Sequence, residues 1–165
     1  AFPWNGFSGL ILSAEPGVVV EAGPMDGIRG LGRFQSRQGV PPIWGSDRIV
    51  LRDLSLRTTG TGLYFFFYGG LHAERVQIEG ASVGIRLGQP NNAPLPPSAS
   101  VYLEDCAIRA CGAAIDQGRY SEWRELIARR CTFDQNGVAI RGTDIRYHLL
   151  DRCRFIGNQV AIQAD

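Results

Sequence analysis

Lysine is absent from this chain of 165 residues, and all 17 basic residues are arginine. Arginine pairs carboxylates bidentately and stacks on flat partners, but its exclusive use identifies no chemistry by itself. Against the arginines stand 16 acidic residues, giving a net charge of +1. There is no field of one sign to hold a polyanion, so no nucleic-acid partner is expected. Long hydrophobic runs are missing too: the apolar-aromatic stretch Leu63–Tyr68 falls far short of the roughly 20 residues that span a bilayer, and no membrane insertion is expected. No stretch reads as a signal peptide. The four cysteines include no C-x-x-C pair, which argues against a zinc ribbon or a thioredoxin-like motif. Finally, no segment sustains a hydrophobic period of 3.6, so helices are not expected.

What the chain does contain is a repeat. Five ten-residue segments align without a gap: "LSLRTTGTGL" (54–63), "VQIEGASVGI" (76–85), "CAIRACGAAI" (106–115), "CTFDQNGVAI" (131–140) and "CRFIGNQVAI" (153–162). Each has an apolar first residue, an apolar residue two later and an aliphatic residue at its end. The starts are 22, 30, 25 and 22 residues apart, so all variation lies outside the aligned core. A period of this size marks a solenoid. The spacing of two in C-x-F is strand alternation, and the small or polar residues after it supply a turn before the next short strand. The unit is therefore strand and turn, unlike leucine-rich, ankyrin or helical-hairpin repeats.

The C-x-F-x-x-N-x-x-A-I rungs, with Asn136 and Asn158 at equivalent positions, resemble the right-handed parallel β-helix of the pectate-lyase-like superfamily, which includes phage tailspikes. The resemblance implies an all-β solenoid of about six coils of 22–30 residues, with stacked asparagine side chains. Residues 48–165 carry it strongly. Residues 1–47, with strand-like runs broken by Pro-Gly, Gly-Pro and Asp-Gly, read as a capping segment and irregular first coils of the same domain. Because the sequence stops within a coil at "AIQAD", a continuation or a covering partner is expected there.

Much of the chemistry in the sequence is absorbed by stacking. Cys106, Cys131 and Cys153 share one inward column, where cysteine behaves as a small hydrophobe, and Cys111 takes the column of Asn136 and Asn158. No metal site or cofactor is expected. Charges alternate down three further columns: Arg57, Glu79, Arg109, Asp134; Arg86, Asp116, Arg141; and Asp53, Arg75, Asp105, Arg130, Arg152, with one like-charged step at the end. Opposite charges on neighbouring strands fix register, because a slip would set like against like. His148 aligns with Leu71, Val101 and Leu126, as a core histidine would.

Function is expected where the period breaks. In the insertion 88–100, Asn91 and Asn92 offer amides to a hydroxyl-rich ligand. In 116–125, Arg119, Tyr120, Trp123 and Arg124 combine aromatic faces with charged hydrogen-bonding groups, although Trp123 also fits a core corner. In "LYFFFYGG", alternation turns Tyr64, Phe66 and Tyr68 outward, toward a covering segment, another subunit or a ligand. Carboxylates for catalysis would come from Glu104, Asp105, Asp134 and Asp151, yet the local motifs of polygalacturonases, pectate lyases and alginate epimerases do not appear. The resemblance thus implies a polysaccharide-binding module of a tailspike-like or secreted surface protein, extracellular or virion-associated, with a surface glycan as partner and a homotrimer as assembly. Two alternatives stand beside it: a divergent polysaccharide lyase or hydrolase, and a structural or oligomerisation module without a ligand.

Overall fold

The computed structural model describes residues 9–13, 19–23, 28–31, 48–66, 71–87, 100–117, 125–142 and 148–164. Every regular element among them is a β-strand, and the strands form three parallel sheets. The first sheet holds β1 (Gly9–Ser13), β4 (Arg48–Arg52), β7 (Leu71–Glu74), β10 (Ser100–Glu104), β13 (Glu125–Arg129) and β16 (His148–Asp151). The second holds β2 (Val19–Gly23), β5 (Ser55–Thr58), β8 (Gln77–Glu79), β11 (Ala107–Arg109), β14 (Thr132–Asp134) and β17 (Arg154–Ile156). The third holds β3 (Ile28–Leu31), β6 (Thr61–Phe66), β9 (Val83–Leu87), β12 (Ala113–Asp116), β15 (Val138–Gly142) and β18 (Val160–Ala164). Each coil contributes one strand to each sheet, so the chain winds as a parallel β-solenoid.

The ten-residue repeat supplies a second-sheet strand, a turn and a third-sheet strand. Its apolar positions face the lumen: Leu56, Ile78, Ile108 and Phe133 form one buried column, and Leu63, Ile85, Ile115 and Ile140 another. Phe133 stacks on Phe155 with ring centroids 5.1 Å apart. Against the expectation of about six coils, the enclosed core among the described residues occupies about four, from Leu51 to Ile140. The reason lies in stacking, since an inward side chain is covered only when a coil lies on both sides of it. Val160 and Ile162, in register with Val138 and Ile140, are therefore 41% and 44% exposed.

The three corners differ. Between the first and second sheets, Asp53, Arg75, Asp105, Arg130 and Arg152 all adopt left-handed backbone, with φ from 52° to 56°. This region costs a non-glycine residue about 1–2 kcal/mol. Each of the first four still donates its backbone N–H to the next coil, as from Arg75 to the Glu104 carbonyl at 2.9 Å. Between the second and third sheets the asparagines stack as the sequence indicates. Buried Asn136 accepts the Cys111 backbone N–H on Oδ1 at 3.0 Å, and its Nδ2 donates to the Ile108 carbonyl at 3.0 Å and to Asn158 Oδ1 at 2.9 Å. The third corner holds the variation in coil length: 67–70, 88–99, 118–124 and 143–147 all connect a third-sheet strand to the next first-sheet strand.

Candidate functional site

The segments that break the period rejoin the solenoid along one edge. The 88–99 and 118–124 segments end at Ser100 and Glu125, which are direct neighbours in the register of β10 and β13. Both joining points thus stand at the first residue of a first-sheet strand. Asn91, Asn92, Arg119, Tyr120, Trp123 and Arg124 lie outside the described residues, as does Tyr68. Phe66 closes β6. Tyr64, two residues earlier, is half-buried and stands in register between Arg29 and Arg86 on the third sheet.

Alternation on the first sheet turns two rows outward. One row runs Val50, His72, Tyr102, Ile127, Leu149. It is apolar or aromatic throughout, with the His72 and Tyr102 rings 6.4 Å apart and tilted by 59°. The Tyr102 hydroxyl donates to Glu125 Oε2 at 3.2 Å, tying β10 to β13 at the edge where the two segments rejoin. The second row runs Arg52, Glu74, Glu104, Arg129, Asp151. Glu74 and Glu104 are like charges side by side, an arrangement that opposes stacking. Three arginines compensate: Arg52 reaches Glu74 at 2.9 Å, Arg75 also pairs with Glu74, and Arg130 reaches Glu104 at 2.6 Å.

Of the four carboxylates named from sequence, Glu104 and Asp105 are brought together by Arg130, which bonds Asp105 at 2.7 Å. Asp151 lies two coils on from Glu104, in register with Arg129 of the coil between and 3.6 Å from Arg152. Asp134 belongs to the second sheet and is in register with Arg109, whose guanidinium turns instead to Glu79 at 3.1 Å. The four thus do not form one constellation. The hydrogen bond from Arg130 holds the Asp105 carboxyl below its ordinary range, and the bond from Arg75 does the same for Asp53 and Glu74. Such groups accept hydrogen bonds and are poor proton donors, whereas glycoside hydrolysis by a general acid needs a carboxyl raised in pKa.

Three of the four thiols lie where the thiolate is disfavoured, whereas the hydrogen bond with Cys131 holds the deeply buried Cys106 below the ordinary thiol range. Hydrogen bonding to the Cys106 thiol, with burial, holds Cys131 above the ordinary thiol range, and burial raises Cys111 and Cys153. All four cysteines are free. Among the described residues, no group of three His, Cys, Asp or Glu side chains is placed to hold a metal ion.

His72 was visible in the sequence as an imidazole, but its outward row and the Tyr102–Glu125 pair were not. The aligned decapeptides stop short of the first sheet; extending them placed its inward column, with His148 under Leu71, Val101 and Leu126, but left the outward rows unread. A cue did exist: each residue of the Glu74–Glu104 row directly precedes a charged turn residue of the Asp53–Arg152 column.

No protein-family model, curated protein or solved structure matches the chain. The parallel β-solenoid rests on its own strands and register, and function has to be argued from the surface they present.

Proposed function

We propose that this chain is a polysaccharide-binding solenoid module of the kind found in pectate-lyase-like surface proteins and tailspikes, extracellular or virion-associated, and that the outer face of the first sheet receives the glycan. The observation that carries this reading is convergence: the period-breaking segments rejoin the coil beside an outward row containing His72 and Tyr102, next to a charged row of Arg52, Glu74, Glu104 and Arg129. Sugar rings present apolar C–H faces to aromatic side chains and hydroxyls to charged hydrogen-bonding groups. Coils repeat about every 4.8 Å, so the face offers equivalent positions along one line, which suits an extended polymer better than a compact ligand.

Asn91, Asn92, Arg119, Tyr120, Trp123 and Arg124 complete the contact in this proposal, and Tyr64, Phe66 and Tyr68 contribute to threefold self-association. The test is retention on immobilised polysaccharides, neutral and acidic, with variants that leave the core intact. Tyr102→Ala is expected to weaken retention about 3- to 10-fold, the value of one aromatic stacking contact, with the urea midpoint little changed. Trp123→Ala is expected to act in the same direction. Absence of retention on every polymer, or full retention by both variants, would overturn the assignment of this face. Newly released reducing ends would replace binding by the enzymatic alternative.

A further inference from the structure

The outer face of the second sheet carries a separate depression of about 120 Å³. Its lining comes from two outward rows in register across β5, β8 and β11: Ser55, Gln77 and Ala107, and beside them Arg57, Glu79 and Arg109. Small side chains at Ser55 and Ala107, on either side of Gln77, leave the space. Further along the same row stand Thr132 and then Arg154, outside the depression.

The charges here cancel. Glu79 Oε2 accepts from Arg57 Nη2 and from Arg109 Nη2, each at 3.1 Å, and Arg57 Nη1 reaches Glu21 at 3.2 Å. Two guanidinium groups therefore face two carboxylates. Within this ladder Glu79 Oε1 and Arg109 Nε carry no bond. The Ser55 hydroxyl and the Gln77 carboxamide make no side-chain hydrogen bond among the described residues. One shallow site thus gathers unspent donors and acceptors of both kinds and an apolar methyl at Ala107, and with Glu21 counted beside its lining the ladder has no net charge.

We propose that this depression is a second carbohydrate subsite that binds one uncharged sugar unit through its hydroxyls. A hydroxyl pair donates to Glu79 Oε1 and accepts from Arg109, while Gln77 and Ser55 meet the neighbouring hydroxyls and Ala107 packs against a C–H face. A uronate or sulfated sugar is disfavoured, because its anion has to compete with Glu21 and Glu79 for the two arginines that these two carboxylates together neutralise. The sugar class rests on the polysaccharide reading above, but the site lies on a different sheet from Tyr102, so the two are separable.

The experiment is an amide chemical-shift titration with the methyl glycosides of glucose, galactose and mannose, and with glucuronate, on the parent and on Ala107→Gln, Ser55→Gln and Tyr102→Ala. At least one neutral glycoside is expected to move the Ser55, Gln77 and Ala107 amides with a millimolar dissociation constant, typical of a single small ligand. Either glutamine variant fills the space and is expected to weaken this about tenfold or more, whereas Tyr102→Ala leaves it unchanged. Added salt up to about 0.5 M is expected to have little effect, since no net charge is being screened. The proposal is overturned if no neutral glycoside moves these amides, if glucuronate binds more tightly than its neutral counterpart, or if a folded glutamine variant binds as the parent does. Cleft shifts without polymer retention sink the first-sheet reading alone. Tyr102-dependent retention without cleft shifts sinks the second subsite alone.

Discussion

Asn136 satisfies, with one side chain, a backbone N–H of the preceding coil, a carbonyl of that coil and the amide of Asn158. Replacing it with alanine leaves the buried Cys111 N–H and Ile108 carbonyl without these partners, at a cost of about 1–3 kcal/mol per unsatisfied group. Asn136→Ala is therefore expected to lower the urea midpoint clearly, while the same change at the more exposed Asn158 costs less. A second residue-scale prediction concerns acid. Asp53, Asp105, Glu74 and Glu79 all titrate below their ordinary values of 3.8 and 4.5 because arginines hydrogen-bond their ionised forms. Their folded pKa lies below the unfolded one, so their contribution is present in full above those ordinary values and is lost as pH falls through the depressed ones. Urea midpoints measured down through pH 4 and below should decline. Because these groups are all partly open to solvent, salt should flatten the decline. Insensitivity to pH across that window would show that the ion ladders set register without adding stability.

At the scale of strands, coils approach so closely at Gly62, Gly84, Gly112 and Gly137 that a β-carbon would meet a backbone carbonyl oxygen of the neighbouring coil. A Cβ on Gly62 would stand 2.5 Å from the Gly84 carbonyl oxygen, and one on Gly84 would stand 2.6 Å from the Ala114 carbonyl oxygen. Gly84→Ala must therefore push β9 away from β12, and overpacking of this kind costs about 1–3 kcal/mol. The expected readout is a lower melting temperature with the strand content kept. A melting temperature equal to the parent's would mean that the coils separate more freely than their packing implies. The decapeptide alignment revealed the inward columns, since identical neighbours recur at one depth. It did not reveal the outward rows of the first sheet, which vary from His72 to Tyr102 to Ile127 and share no identity to align.

For the whole molecule, a solenoid's stability is close to a sum over coils and the interfaces between neighbours. The last coil has a neighbour on one side among the described residues, and Leu149, Ile156, Val160 and Ile162 are 40–48% exposed. Amides of β17 and β18 that donate within the described coils should exchange faster than those of β11 to β15, by about tenfold or more, because local opening there uncovers less buried surface. Uniform protection would indicate that the end is covered in solution, by association or otherwise. Light scattering then separates a trimer from a monomer, which bears directly on threefold assembly.

By itself the sequence determined the repeat, the strand-and-turn unit, the inward columns, the asparagine ladder and the alternation of charge, because each depends on residues at a fixed spacing along the chain. Tertiary structure decided what depends on neighbours from different coils. Winding brought Glu74 beside Glu104 with three arginines around them, and it set Tyr102 against Glu125. It turned the five charged corner residues into left-handed turns and opened a depression between Ser55 and Ala107. These features arise where positions 22 to 30 residues apart stand side by side, at a distance fixed by the hydrogen bonds between coils rather than by the chain between them.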